Sequence, residues 1–148
     1  MADLYLQNIV NDIRLEDLPE QWQGFDFSRF SKDKTLFDFQ QKALENALRG
    51  LWLFYKDKNA DKQSMFNRYR LNGLEEDLDY DTQKKQDSKT VKYLLEYDKD
   101  YPVVDSKISF SCFINRMSFW MATGSGKTLV IVKLIELLGT LMSRGEIP

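Results

Sequence analysis

FWMATGSGKTLVIVKLIELL, Phe119 to Leu138, decides how this chain is read. Gly124 and Gly126 stand one residue apart, directly before Lys127 and Thr128. A glycine turn lets the backbone come close to an anion and aim several N–H donors at it. No Cβ blocks the approach, and positive φ is open. Lys127 can set its ammonium on the β- and γ-phosphates, and the Thr128 hydroxyl can ligate Mg2+. A helix starting here adds the positive end of its dipole. The candidate binding set is therefore Thr123, Gly124, Ser125, Gly126, Lys127 and Thr128, with ATP and Mg2+ as cofactors and Thr128 as the metal ligand. RMSFWMA, Arg116 to Ala122, reads as the strand that enters the turn, and Thr128 opens the helix that leaves it. The pattern G-x-x-x-x-G-K-[ST] has its first glycine replaced by Met121, so the strict motif is missed at one position while its strand–turn–helix context is met.

The helix after the turn is apolar on most sides. Leu129, Val130, Ile131, Val132, Leu134, Ile135, Leu137 and Leu138 leave only Lys133, Glu136 and Thr140 as a polar stripe. Such a helix expects cover from a sheet and from neighbouring helices, and with few neighbours it exposes surface that invites association.

Composition narrows the remaining choices. The chain has 148 residues, a length that fits one ordinary domain. With 43% hydrophobic and 30% charged residues it reads as globular. A net charge of −2 gives no overall pull toward nucleic acid or an anionic surface. There is no histidine, so imidazole serves nowhere as base or metal ligand. The single cysteine, Cys112, excludes an internal disulfide framework and fits a reducing compartment. The first twenty residues carry acids where a secretory signal has basic residues, and no apolar run nears the ~18 residues a bilayer span needs. A cytoplasmic protein without membrane contact is the expectation.

Three regions follow from patterning. Residues 1–55 form a mainly helical N-terminal region. It holds a short helical pattern (Leu4, Leu6, Ile9, Val10, Ile13) ended by Pro19, then an aromatic loop with Trp22, Phe25, Phe27 and Phe30. Thr35 to Tyr55 is an amphipathic helix with Ala43, Leu44, Ala47, Leu48, Leu51, Phe54 and Tyr55 on one face. Thr35 and Asp38 have capping-box spacing. Residues 56–107 are a charged insertion. KDKNADK reads as a loop, SMFNRYRLNGLEEDLDY as a helix broken near Gly73, and SKTVKYLLEY as a short helix capped by Ser88. EEDLDYD and DYDTQKKQDSK read as solvated charge runs. Residues 108–148 are α/β in character, and ISFSCFI there alternates like a strand.

Two segments carry a resemblance. MATGSGKT, without the first glycine, looks like motif I of superfamily 2 helicases and translocases. FINRMSFWMATGSGKTLVIVKLIE is similar to the helicase-like subunits of type III and type I restriction enzymes. LFDFQQKAL, Leu36 to Leu44, resembles the LRPYQxxAL Q motif of the same group, with Leu36, Phe39, Gln40 and Ala43 on matching positions and Phe37 and Asp38 in place of Arg and Pro. The resemblance implies a partial RecA-like P-loop NTPase domain: an α/β fold with a parallel sheet fragment and flanking helices, preceded by the helical region. It implies that Gln40 reads the adenine edge, with Phe37 or Phe30 stacking on the base. In the family the activity is ATP-driven translocation on DNA by two RecA-like domains.

Two departures qualify what this chain would do. Gln40 and Lys127 lie much further apart than in a compact helicase core, which makes the charged segment an insertion. The later motifs are missing: no acidic Walker B strand, no ATP–DNA coupling motif, no arginine finger. EEDLDYD precedes the glycine turn and cannot serve as Walker B. The expectation is thus the ATP-binding front of a longer DNA-dependent ATPase, with SRGEIP as the connector to a further strand, no catalytic residue of its own, and neither hydrolysis nor translocation alone. DNA would be reached through the full-length protein. The alternative is an interaction module with an idle phosphate loop that binds the remainder of the helicase or a methyltransferase subunit.

Overall fold

The structure is a computed structural model that describes residues 5–56, 61–74, 79–83, 89–97, 99–109, 112, 117–119 and 121–148. It mixes helices with small antiparallel sheets and divides into two compact units, Met1–Asp61 with Ser118–Pro148, and Lys62–Met117.

In the first unit, α1 (Tyr5–Asn11) turns Ile9 and Val10 inward. Two 3-10 turns follow, Leu15–Asp17 and Glu20–Trp22, and the second buries Trp22. β1 (Arg29–Ser31) and β2 (Lys34–Thr35) form an antiparallel hairpin. Before it, the N–H and hydroxyl of Ser28 both donate to Asp26 and hold that carboxyl below its usual pKa. Helix α2 (Asp38–Tyr55) packs against both α1 and the helix after the glycine turn, Lys127–Ser143. The core joins Leu18, Trp22, Phe27 and Leu36 to Leu44 and Leu48 of α2 and to Val130, Leu137 and Leu141 of that last helix. Each buried leucine contributes roughly 1.5–3 kcal/mol, so these side chains outweigh any local propensity.

Polar groups pin the same unit. Arg49, itself buried, donates from Nε to the Ile13 carbonyl (2.8 Å) and from Nη1 to Glu45 and Asn46, which ties the end of α1 to α2. The segment SRGEIP closes the last helix and folds back on the aromatic loop. Glu146 N–H donates to Leu141 O and Gly145 N–H to Met142 O, the paired bonds of a Schellman ending. The Glu146 carboxylate then accepts the indole N–H of Trp22 at 2.6 Å, while Arg144 donates to the Gln21 carbonyl and lies over the Phe25 ring.

In the second unit, α3 (Lys62–Leu71) ends just before Gly73, and α4 (Lys89–Glu96) turns Val91 and Leu94 inward. β3 (Tyr80–Asp81), β4 (Val103–Val104) and β5 (Lys107–Ile108) make a three-stranded antiparallel sheet in the order β3-β5-β4. Asp105 and Ser106, both at positive φ, form the two-residue loop between β4 and β5.

Four expectations are corrected. Every strand pairing among the described residues is antiparallel, so no parallel RecA-like sheet is present there. Residues 117–119, 121 and 122 of the expected entry strand are not in a strand. A strand of that kind is held by hydrogen bonds to neighbours on both sides, and no described strand runs beside these residues. Of ISFSCFI, Ile108 lies in β5, Ser109 is outside any strand and Cys112 is helical. The cap of α2 is Phe37 rather than Thr35, which is taken up in β2. Residues 57–60 of the KDKNADK loop, 75–78 of EEDLDYD, 84–88 including Ser88, and Phe110, Ser111, 113–116 and Trp120 lie outside the described residues.

Leu44 is fully buried between helices, whereas Leu71 is 87% exposed. Leu44→Ala is expected to cost ~2–5 kcal/mol in urea denaturation. Leu71→Ala is expected to stay within about 0.5 kcal/mol.

Candidate functional site

The helix after the glycine turn is α5, Lys127–Ser143. It starts one residue before Thr128, with Gly126 as its N-cap. The preceding loop is a tight turn in which Ser125 N–H donates to Ala122 O at 3.2 Å. Gly124 has φ 78° and Gly126 φ 75°, both in the left-handed region that a Cβ disfavours. Leu129 N–H closes the first helical turn on Gly126 O. Among the described residues the N–H groups of Gly124, Gly126, Lys127 and Thr128 have no acceptor. Unmet donors of this kind gather at every helix start, and here two left-handed glycines add to them.

The side chains around these donors are unevenly placed. Thr123, Lys127 and Thr128 are exposed. Lys127 folds back across the loop and donates from Nζ to Ala122 O at 3.0 Å. The Ser125 hydroxyl is buried and has no partner among the described residues. An unmet buried hydroxyl costs ~1–3 kcal/mol. A loop with open N–H donors, an ammonium within reach and one orphaned hydroxyl fits the oxygens of a phosphate chain. Among the described residues no group of three or more acidic, cysteine or histidine side chains could hold a metal ion. Among the described residues the exposed Thr128 hydroxyl is the group of this loop that could join phosphate oxygens and waters around Mg2+.

Gln40 is the residue whose placement sequence reasoning describes least well. As a first-turn residue of α2 it could have been solvated, but it is 1% exposed. Its Oε1 accepts the N–H of Phe37 at 2.9 Å. Phenylalanine has no side-chain acceptor, so Gln40 supplies the only side-chain half of the cap. Its Nε2 donates to the Ser125 carbonyl at 2.8 Å, across a separation of 85 positions. The Leu36–Leu44 segment and the glycine turn thus meet directly. Nothing in one sequence could pair Gln40 with Ser125. Phe37 and Phe39 stack on each other, with centroids 5.8 Å apart, and stay 68% and 48% exposed beside this junction. Phe30 instead packs against the core.

No protein-family model, curated protein or solved structure matches this chain.

A Cβ placed on Gly124 meets nothing within 4 Å, whereas one on Gly126 comes to 2.6 Å from Gln40 Nε2. Gly124→Ala is expected to cost only the strain of its backbone, ~1–2 kcal/mol. Gly126→Ala adds displacement of a buried amide, and thermal denaturation is expected to rank it clearly below Gly124→Ala.

Proposed function

We propose that the chain binds a nucleoside triphosphate, ATP with Mg2+, through Thr123 to Thr128, as the nucleotide-binding front of a DNA-dependent ATPase. The observation that carries this is the loop itself: two left-handed glycines, four N–H donors with no acceptor among the described residues, and Lys127 at the start of a 17-residue helix. The N–H groups hold the phosphate oxygens, Lys127 leaves Ala122 O to neutralise them, and Thr128 offers its hydroxyl to the cation. Bound Mg2+ would supply charge neutralisation between the β- and γ-phosphates. The likeness of MATGSGKT and LFDFQQKAL to motif I and the Q motif supports a RecA-like, helicase-type setting of the restriction-enzyme kind. Among the described residues no cluster of acidic side chains could hold a metal ion, and in this reading hydrolysis and DNA translocation would need further protein.

A second reading is favoured by one specific observation. On α5, Ile131 and Ile135 are 55% and 63% exposed, with Val132 and Met142 also open. That face suits an interaction module with an idle loop, docking on the remainder of the helicase or a methyltransferase subunit.

Calorimetry with Mg·ATP separates the readings. Lys127→Ala is expected to weaken binding by tenfold or more, the scale of a lost charge-assisted hydrogen bond of about 1.5–3 kcal/mol, with the far-ultraviolet circular dichroism unchanged. Equal binding before and after the change would leave the loop idle. Sedimentation checks the exposed face. The chain is expected to self-associate at micromolar concentration, and Ile131→Asp with Ile135→Asp to shift it to monomer. A chain already monomeric at every concentration would remove self-association.

A further inference from the structure

We infer that Gln40 is a positioning residue that locks the Ser125–Gly126 peptide plane in the orientation an anion needs, and that it is blind to the base. This rests on the phosphate-loop reading given above. In a planar trans peptide the carbonyl and the following N–H point in opposite directions. The Gln40 amide donates to Ser125 O, so it turns that oxygen toward α2 and the Gly126 N–H away from it. With glycine at 126, rotation of this plane would otherwise be cheap, since both signs of φ are open to it. A rotated plane would put a carbonyl oxygen where the N–H stood, and an oxygen repels phosphate.

The surroundings hold Gln40 in this role. Its Oε1 is fixed by the Phe37 N–H, so the amide cannot turn over without breaking the cap of α2. Its Nε2 fills the space beside Gly126 that a Cβ would take. At 1% exposure, its remaining N–H and lone pair are closed to solvent and to a base edge. The exposed Phe37–Phe39 stack lies nearby, and an aromatic face accepts any base.

The test measures the affinity of the full chain for Mg·ATP, Mg·GTP and Mg·tripolyphosphate, which carries no base, before and after Gln40→Ala and Gln40→Glu. Glutamate at this position keeps the cap, because it still accepts from Phe37 N–H, but it cannot donate to Ser125 O. Both variants are expected to weaken all three ligands by a similar factor, about tenfold for the lost buried hydrogen bond, with Gln40→Glu the weaker because its carboxylate also repels the Ser125 oxygen. Weakening of ATP alone would make Gln40 a base reader and overturn the inference, and no weakening of any ligand would make the bond idle. A wild-type chain that binds none of the three removes the phosphate-loop reading, and this inference with it. Should the variants unfold, the side-chain NH2 resonances of Gln40 in the wild-type chain decide. They are expected to shift alike with all three ligands, and a shift with ATP alone overturns the inference.

Discussion

One buried amide joins the parts of this molecule that matter. Gln40 has to place its oxygen and its nitrogen on partners inside the protein, because a buried polar group left unmet costs more than a formed bond returns. It meets that demand with Phe37 N–H on one side and Ser125 O on the other. The first contact starts α2 and the second fixes the turn before α5. The helices then bury Leu44, Leu48, Val130, Leu137 and Leu141 in a common core. The position of the glycine turn is therefore tied to how α2 begins, although the two contacts lie 85 positions apart.

The turn and its helix were legible in the sequence because their chemistry is local. Two glycines before Lys and Thr, followed by an apolar run, have one inexpensive backbone solution, and both glycines adopt it. The α2 face was legible for the same reason, through Leu44, Ala47, Leu48 and Leu51 at helical spacing. The end of α3 before Gly73 and the short helix at Lys89–Glu96 also follow from local pattern.

What was not legible depends on partners distant in sequence. RMSFWMA has the composition of a buried strand, but strands exist only in pairs, and the described part of this segment has none beside it. The two-residue strands of the second unit are set by the turn at Asp105–Ser106 and by pairing with Tyr80–Asp81, which no alternation announces. The cap of α2 went to Phe37 because the hairpin claims Thr35 and Gln40 can serve from inside the helix. The apolar girdle of α5 told that part of it would stay open, but not which side would be covered. Cover came from α2 and the aromatic loop, leaving Ile131, Val132 and Ile135 open.

The central claim is that the backbone from Gly124 to Thr128 receives a phosphate chain. Amide nuclear magnetic resonance of the full chain, titrated with Mg·tripolyphosphate, tests it without help from a base or from hydrolysis. The account predicts saturable shifts centred on the N–H resonances of Gly124, Gly126, Lys127 and Thr128, with those of the distal half of α5 nearly still. Unmoved resonances in the loop at millimolar ligand, or shifts spread over the surface lysines instead, would contradict it.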